Sequence, residues 1–302
     1  MLAKCFFILL TGLVFLLNGS VPAFSAEKRI TIGGKNFTEQ YLLPEMAKFL
    51  LEKNGFEVTL KTGVGTAIAR QSLETDQIDM YYEYTGTAYT VFYKQDDEKI
   101  MSDPQSVYDW VAQKDAEQGL IWLDPVQFNN TYTIMMRKAD SAKLGISSIS
   151  DYGDYVEENP KGLTFALEAE FWERPDGFKK LMKVYDFRMP VSQIKKMDMG
   201  LTYLALRDGQ VDSAMGFATD GRIAAFDFVN LEDDKSFFPV YNPAPVIRDE
   251  ILQKYPEIET ILAPLAQQLD TQSMQELNAM VDVEHKDVSQ AAREWLTAKG
   301  LL

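Results

Sequence analysis

A group of tyrosines followed by a Thr-Gly-Thr turn is the clearest candidate for binding chemistry in this sequence. Residues 81–87 read Tyr-Tyr-Glu-Tyr-Thr-Gly-Thr. Because side chains alternate along a strand, Tyr82 and Tyr84 share one face, and Tyr81 and Glu83 share the other. Two interpretations stay open: ordinary packing between strands, or an aromatic wall at a strand end with hydroxyl and backbone donors beside it.

Two basic residues near predicted helix starts are candidates for holding an anion. Lys35 follows two glycines, at a point where backbone N–H groups and the helix dipole favour negative charge. Arg174 precedes Pro-Asp-Gly and a second predicted helix. The alternative interpretations are a solvated lysine and an arginine that pairs with Glu170 or Asp176, and both stay open.

The sequence is poor in side chains that catalyse reactions. Cys5 is the only cysteine and His285 the only histidine, which excludes an internal disulfide, a multi-cysteine zinc site and a Cys-His dyad. A Ser-His-Asp triad would need His285, which stands in a charged run and is expected at the surface. Asp79 and Asp212 are expected to cap turns or meet solvent, not to form an acid/base pair. We therefore expect no enzyme, no catalytic residue, no metal site and no cofactor.

The charge balance argues against a nucleic-acid partner. The chain has 45 acidic and 30 basic residues, a net charge of −15. No basic stripe is present to neutralise phosphates, so we expect no binding to nucleic acid.

The first residues predict export. Lys4 precedes an apolar run over Phe6–Leu17, about 12 residues long, whereas about 20 are needed to span a bilayer. Small residues follow at 23–26, and cleavage after Ser25 fits slightly better than cleavage after Ala26. Residues 1–25 are therefore a predicted signal peptide. Its removal leaves no cysteine for a lipid anchor and a net charge of −16, so we expect a free protein in a bacterial periplasm.

Strands and helices alternate along the first part of the chain. A strand over Arg29–Ile32 turns at two glycines into a helix, for which Asn36 and Glu39 have the spacing of a capping box. Pro44 is expected to kink this helix and Gly55 to end it. The next predicted elements are a strand over 56–61, a helix over 67–74 and a strand over 78–82. This alternation predicts an α/β lobe with a largely parallel sheet.

A second alternation begins near Tyr132. It comprises strands over 131–137, 163–167 and 211–215 and helices over 176–185 and 201–207, before a C-terminal region with a helical pattern from Asp249 onward. No low-complexity linker separates the two parts. Two aromatic segments, Phe128–Tyr132 and Phe238–Pro243, fall at expected crossovers between two lobes.

A short internal match relates the two parts. Residues 73–79 (Leu-Glu-Thr-Asp-Gln-Ile-Asp) and 206–212 (Leu-Arg-Asp-Gly-Gln-Val-Asp) align with an offset of 133. Both predict the end of a helix, a tight turn and the start of a strand. The same offset relates Tyr84 to Phe217, so each lobe is expected to place an aromatic ring at the carboxyl end of an equivalent strand, where open α/β sheets bind ligands.

Five motifs together resemble one protein family, the substrate-binding proteins of ABC importers for glycine betaine, choline and proline betaine. The resemblance extends from about Arg29 to the C-terminus. The motifs, in order, are Gly33–Gln40 (GGKNFTEQ), Glu83–Thr87 (EYTGT), Glu170-Phe171 with Arg174–Gly177 (RPDG), Phe217–Asp220 (FATD) and Leu231–Lys235 (LEDDK).

The resemblance implies a two-lobed periplasmic-binding-protein fold of type II. Two crossovers would join residues 26–129 and 238–302, as lobe I, to residues 130–237, as lobe II. The ligand cleft would lie between the lobes and close on a quaternary ammonium compound. The implied partners are this small molecule and the permease of an ABC importer in the inner membrane, and we expect a monomer.

The resemblance also implies roles for seven residues. An aromatic cage for the ammonium group falls on four positions: Tyr84, Tyr132, Phe217 and Tyr241. A clamp for the ligand's carboxylate falls on three others: Lys35, Thr87 and Arg174. The sequence departs from the family pattern at Phe217, where tyrosine is expected, at Asn130, where some relatives have an acidic residue, and at Gly34, where serine is usual.

These roles favour a zwitterionic ligand. Choline has a hydroxyl group instead of a carboxylate and would leave Lys35 and Arg174 unpaired, so glycine betaine is preferred. We expect a pocket that is uncharged at one end and basic at the other. Choline, carnitine, ergothioneine, proline betaine or an amino acid are alternative ligands, and a periplasmic lyase on the same fold is an alternative of another class.

Overall fold

Two five-stranded sheets organise the computed structural model, which describes residues 28–302. The predicted signal peptide lies outside these residues. Ten strands are present in the described part of the chain: β1 (Lys28–Lys35), β2 (Phe56–Val64), β3 (Met80–Tyr84), β4 (Leu120–Trp122), β5 (Tyr132–Arg137), β6 (Phe165–Leu167), β7 (Ile194–Lys196), β8 (Ser213–Phe217), β9 (Phe228–Asn230) and β10 (Pro243–Arg248).

Helices connect the strands and form the C-terminal region. The helices of the described residues are α1 (Glu39–Lys53), α2 (Thr66–Glu74), α3 (Thr85–Thr87), α4 (Glu98–Met101), α5 (Pro104–Ala116), α6 (Lys138–Leu144), α7 (Ile149–Glu158), α8 (Ala169–Glu173), α9 (Phe178–Val184), α10 (Met199–Arg207), α11 (Arg222–Ala225), α12 (Asp249–Lys254), α13 (Glu257–Gln268), α14 (Thr271–Asp282) and α15 (Val288–Ala298). A π-helical turn, Ala88–Phe92, continues α3, and a short 3-10 turn, Val191–Gln193, precedes β7.

The two sheets have corresponding topologies, and each defines one lobe. The strand order is β2-β1-β3-β10-β4 in lobe I and β7-β6-β8-β5-β9 in lobe II. The fourth strand of each order, β10 or β5, runs antiparallel to its neighbours, while the first three strands are parallel. The prediction of a largely parallel sheet is therefore only partly right, because in each lobe a strand that follows a crossover enters the sheet in the opposite direction.

The entry into α1 differs from the predicted turn and capping box. Gly33 and Gly34 lie inside β1, and α1 begins at Glu39 after Thr38, whose side chain makes no capping bond. The glycines are needed for close packing, since a Cβ atom at Gly34 would stand 2.8 Å from the Thr62 side chain and still closer to a backbone oxygen of α1. The helix continues through Pro44, and Gly55, with φ of +83°, follows its end.

The internal match of the sequence corresponds to a structural repeat. Helix α2 and helix α10 have the same length at an offset of 133 residues, and so do β3 and β8. Asp79 accepts a hydrogen bond from the backbone N–H of Thr31 at 2.7 Å, and Asp212 accepts the equivalent bond from Thr164 at 2.8 Å. These two aspartates therefore stabilise the starts of β3 and β8 in equivalent ways, as the capping interpretation expected.

Two crossover segments join the lobes and run side by side. The first leads from β4 to β5 and the second from β9 to β10. The backbone N–H of Asn130 donates to Tyr241 O at 3.0 Å, and the Asn242 side chain donates to Phe128 O at 2.6 Å. This pairing places both predicted aromatic crossover segments at the hinge between the lobes.

Each lobe has its own hydrophobic core. Lobe II buries one cluster, which includes Phe165, Phe171 and Phe178. Lobe I has a cluster on each face of its sheet, and the alternation along β3 sends Tyr82 to one cluster and Tyr81 to the other. Within residues 28–302, no helix is both long enough and apolar enough to cross a lipid bilayer.

Candidate functional site

A pocket between the two lobes contains all seven residues of the predicted cage and clamp. It lies at the carboxyl ends of β1, β3 and β8 and beside the crossovers, which is the expected place for a ligand in an open α/β fold. The pocket is lined by Lys35, Asn36, Phe37, Thr66, Tyr84, Thr87, Asn130, Tyr132, Glu168, Glu170, Arg174, Phe217 and Tyr241.

The four predicted cage residues come from four separate segments. Tyr84 and Phe217 are the last residues of β3 and β8, Tyr132 is the first residue of β5, and Tyr241 lies in the second crossover. Tyr132 and Phe217 are partners in the register of β5 and β8. The offset of 133 therefore predicted the positions of Tyr84 and Phe217 correctly, at the ends of equivalent strands.

The rings form a continuous row. The ring centre of Tyr132 lies 5.2 Å from that of Phe217 and 5.5 Å from that of Tyr241, which it meets edge to face. Phe37 closes the row on the other side, at 4.9 Å from Phe217 and 6.1 Å from Tyr84. Sequence reasoning did not identify Phe37 as a cage candidate, although it stands in the first family motif.

The three predicted clamp residues line the same pocket, but both cations already have buried anionic partners. Lys35 Nζ donates to Glu83 Oε1 at 2.5 Å, and both side chains are buried. Arg174 donates through Nε and Nη2 to the two oxygens of Asp176, at 2.7 and 2.6 Å. Arg174 also reaches Thr87 Oγ1 at 3.3 Å. These pairs are expected physically, because a buried charge without a partner is strongly destabilising.

Burial and pairing act against each other on the Asp176 carboxyl. Burial by itself raises its pKa, but the Arg174 charge and the hydrogen bonds from Arg174, Tyr241 and Thr90 hold that pKa below its ordinary value. Asp176 therefore carries a negative charge beneath the pocket. It also fixes a cage ring, since Tyr241 donates to Asp176 Oδ2 at 2.6 Å.

The expectation of a basic end to the pocket is wrong. Besides the paired cations, the lining includes Glu168 and Glu170 of lobe II. The pKa of Glu168 is raised by burial and then by repulsion from Glu170. Glu170 interacts with Arg174 Nη1 at 3.4 Å and accepts a hydrogen bond from the backbone N–H of Thr66, also at 3.4 Å. The two cations of the lining are thus accompanied by two carboxyl groups of the lining, and each is paired with a buried carboxylate behind it.

Glu39 is a second polar centre next to the cage. Its carboxyl group is buried and accepts hydrogen bonds from Tyr84 Oη at 2.6 Å, Thr219 Oγ1 at 2.7 Å and Asn130 Nδ2 at 3.0 Å. Burial raises the pKa of Glu39 to about 7, although these hydrogen bonds lower it. The sequence interpretation assigned Glu39 to a capping box and so missed this position.

Contacts between the lobes show that the cleft is closed. Aromatic rings meet across it at Phe37 and Phe217. Polar contacts join Thr87 to Arg174, Thr90 to Asp176, and Glu39 to Thr219. A ligand in this pocket would therefore touch both lobes.

The remaining chemistry-bearing residues are not part of the pocket. His285 is exposed, as expected from the sequence. Among the described residues, no group of three or more His, Cys, Asp or Glu side chains is placed to hold a metal ion.

Comparisons with known proteins agree with this fold. Residues 28–298 match the family model "Substrate binding domain of ABC-type glycine betaine transport system". A glycine-betaine-binding protein of Pseudomonas aeruginosa is 41% identical over 278 residues, which cover 90% of this chain and 88% of that protein. The glycine betaine-binding protein YehZ of Escherichia coli is 33% identical over 298 residues, or 96% of each chain.

The fold has solved relatives as well. A crystal structure described as a glycine betaine/carnitine/choline ABC transporter superimposes with a TM-score of 0.73 at 28% identity. The match covers 90% of this chain and 99% of that one. The family match and the superposition together support the two-lobed fold.

Proposed function

The chain belongs to the family of substrate-binding domains of ABC-type glycine betaine transport systems, and on this premise we propose that its inter-lobe pocket holds the quaternary ammonium group in an aromatic cage. Members of this family bind a small molecule for an ABC permease and are not enzymes. The finer proposal concerns which residues bind, which ligand is preferred and where the protein acts.

The single observation that carries the cage is the convergence of rings from four separate segments. Tyr84, Tyr132, Phe217 and Tyr241 line one pocket, and we add Phe37 because its ring contacts Phe217. A trimethylammonium group has no N–H to donate, so a ring of π faces suits it without leaving polar atoms unsatisfied. Each desolvated cation–π contact contributes up to about 2 kcal/mol.

We propose that Lys35, Thr87 and Arg174 bind the ligand's carboxylate. Lys35 uses one of its three N–H donors, on Glu83. Arg174 uses four of its five, two on Asp176 and one each on Thr87 and Glu170. The pairs hold the two cations in place, so the remaining N–H groups need little reorganisation on binding. A hydrogen bond to a charged group contributes about 1.5–3 kcal/mol.

Glycine betaine is the ligand that we propose first. The family model and the two curated relatives above carry its name. Choline, carnitine, ergothioneine, proline betaine and amino acids remain the alternatives. After the cost of association, the cage and clamp together support a Kd of about 1 μM, or about −8 kcal/mol. We further propose that the protein acts as a monomer in the periplasm, after removal of residues 1–25, and has no nucleic-acid partner.

Calorimetric titration of the wild-type protein and of Tyr132→Ala tests the proposal. Wild type is expected to bind glycine betaine near micromolar concentration. The variant is expected to lose at least about tenfold in affinity for both glycine betaine and choline, because it removes a central wall of the cage. Melting temperature serves as the folding control. Failure of the wild type to bind either compound, or unchanged affinity in a folded variant, would contradict the proposal.

A further inference from the structure

The Glu39 carboxyl joins three parts of the molecule at one point. Tyr84, a cage residue of lobe I, and Asn130, at the hinge, both donate to its Oε1 atom. Thr219, which follows β8 in lobe II, donates to its Oε2 atom. The same carboxyl group therefore positions a cage ring and holds the opposite lobe.

This carboxyl group has no cationic partner. Within the described part of the chain, no Lys, Arg or His nitrogen forms an ion pair with Glu39; the nearby ammonium of Lys35 pairs with Glu83 instead. On the lobe II side, Arg222 pairs with Asp220 and with Asp282 of α14. Burial without a cationic partner favours the neutral form of Glu39, whereas the hydrogen bonds from Tyr84, Thr219 and Asn130 favour the charged form.

Two buried acceptor atoms beside Glu39 lack a hydrogen-bond donor. The Oδ1 atoms of Asn130 and Asn278 are buried and accept no hydrogen bond, and Asn278 uses its Nδ2 atom on Thr219 O at 2.9 Å. The Thr219 hydroxyl can accept as well as donate. A proton on Glu39 Oε2 would therefore reverse the 2.7 Å bond to Thr219 without moving either heavy atom.

We propose that Glu39 is a proton-binding positioning residue, which takes up one proton when the cleft closes on the ligand. The proposal rests on the proposed function, because closure on a ligand is what brings Thr219 to Glu39. The hydrogen bond that positions Tyr84 and the hydrogen bond across the cleft to Thr219 then depend on one protonation site. Neither the cage role nor the clamp role includes this coupling.

The direction of the pH dependence follows from the two states. When Thr219 moves away and water enters, the pKa of Glu39 returns toward its ordinary value of 4.5, whereas in the closed state it is about 7. Between these values the closed form binds more protons. Affinity therefore increases as the pH falls, and since one pKa unit corresponds to tenfold, we expect glycine betaine to bind at least about tenfold more tightly at pH 5.5 than at pH 8.

Calorimetry with glycine betaine at pH 5.5, 6.5 and 8, in buffers of different ionisation enthalpy, measures this coupling. Wild type is expected to take up most of one proton per ligand at pH 6.5. Glu39→Gln is expected to take up none and to bind equally at all three pH values, because an amide keeps the acceptor oxygen and donates to Thr219. Unchanged proton uptake in the variant, or none in wild type, overturns the proposal.

Two further variants locate the proton. Glu45→Gln is the matched control, since Glu45 is a buried glutamate of the same helix that pairs with Lys48; it is expected to keep the wild-type pH profile. Glu168 is the competing source in the pocket, because its pKa is also raised by burial. If Glu168→Gln abolishes the proton uptake and Glu39→Gln retains it, the proposal is wrong.

Thermal unfolding with and without glycine betaine separates this proposal from the proposed function. In the open, ligand-free protein the pKa of Glu39 is expected near its ordinary value, so Glu39→Gln is expected to shift the melting temperature equally at pH 5.5 and pH 8. In the closed protein saturated with glycine betaine, a glutamate whose pKa is raised to about 7 stabilises the fold below pH 4.5 and loses that contribution as the pH rises through about 7. Glu39→Gln is therefore expected to raise the melting temperature of the bound protein more at pH 8 than at pH 5.5. If neither glycine betaine nor choline raises the melting temperature of wild type, the proposed function fails; if glycine betaine does so and the shift in the bound protein is equal at both pH values, only the role of Glu39 fails.

Discussion

Single residues around the pocket work in pairs, one facing the ligand site and one behind it. Tyr84 is held by Glu39, and Tyr241 and Arg174 are both held by Asp176. Lys35 is held by Glu83. The ligand-facing groups are thus fixed before binding, which reduces the entropy lost when a ligand is bound.

The role of Arg174 is tested by its selectivity between two ligands. Arg174→Ala is expected to reduce the affinity for glycine betaine by at least about tenfold more than the affinity for choline. Only glycine betaine has a carboxylate, so only this ligand loses a charged hydrogen bond. Calorimetry with both ligands measures the difference. Equal losses for the two ligands would show that Arg174 acts only through the structure.

A folding control is needed for this variant, because alanine at position 174 leaves the Asp176 charge buried and unpaired. The double variant Arg174→Ala with Asp176→Asn removes both charges. It is expected to recover melting temperature relative to Arg174→Ala while still losing more affinity for glycine betaine than for choline. Equal losses for the two ligands in the stable double variant would contradict the clamp.

At the residue scale, the sequence predicted the lining of the pocket better than its electrostatics. All seven candidates line one pocket. Five of them stand in the family motifs, whose positions carry over between related chains, and Tyr132 and Tyr241 stand in the two aromatic crossover segments. The partners behind them were missed: Glu39 and Glu83 stand in family motifs themselves, but their burial and their bonding partners depend on how distant segments pack. Glu39 has the local spacing of a capping residue, yet the contacts with Tyr84 and Thr219, 45 and 180 residues away, decide its role.

At the scale of elements, the repeated helix-turn-strand unit places the two cage residues. The turn between α2 and β3 has Asp76 with φ of +60°, and the equivalent turn between α10 and β8 has Gly209 with φ of +69°. Each unit then ends on an aromatic residue at the pocket, Tyr84 or Phe217. The repeat therefore explains why lobes of different sequence present rings at matching positions.

The aspartates of this unit are expected to stabilise the fold and not to bind ligand. Asp79→Ala removes the acceptor of the backbone N–H of Thr31 within β1, and Asp212→Ala removes the acceptor of the backbone N–H of Thr164, just before β6. The expected loss is about 1–3 kcal/mol in the free energy of unfolding. Each aspartate lies five positions, or roughly 16 Å along the strand, from the pocket residue at the strand's end, so affinity for glycine betaine is expected to change less than about threefold.

Urea denaturation and calorimetry on the same samples check both statements. Asp79→Ala is expected to cost more than Asp212→Ala, because Asp79 also pairs with Arg248 at 2.6 Å, whereas Asp212 approaches Arg137 only to 3.7 Å. A large loss of affinity at unchanged stability would place these residues in the binding site and refute the structural role.

The elements that the sequence predicts are present with similar bounds, but β4, β7, β9 and β10 were not predicted, and neither was strand direction. The predicted helix over 67–74 differs from α2 by one residue, because its apolar periodicity is local. The antiparallel β5 and β10 depend on crossovers that return the chain from the other lobe, and no local pattern encodes that direction. The turn expected at Gly33-Gly34 failed for a related reason, since the glycines accommodate side chains from other segments.

At the scale of the whole molecule, the two lobes and their paired crossovers together form one ligand-binding site. Rings from both lobes and from the hinge surround the pocket, so a ligand gains its full set of contacts only when the cleft is closed. The single cysteine and single histidine of the chain fit this chemistry, because π faces and Lys, Arg and Thr donors need neither. The two-lobed arrangement was predictable from the family motifs. The hydrogen bonds that Glu39 and Asp176 accept across the cleft were not.

The measurement that tests the central claim most directly is a calorimetric titration with the methylation series from glycine to glycine betaine. All members share the carboxylate, so differences in affinity report on the ammonium group alone. An aromatic cage predicts that affinity increases with each added methyl group and that glycine binds at least about a hundredfold more weakly than glycine betaine. Equal binding of glycine and glycine betaine would contradict the cage.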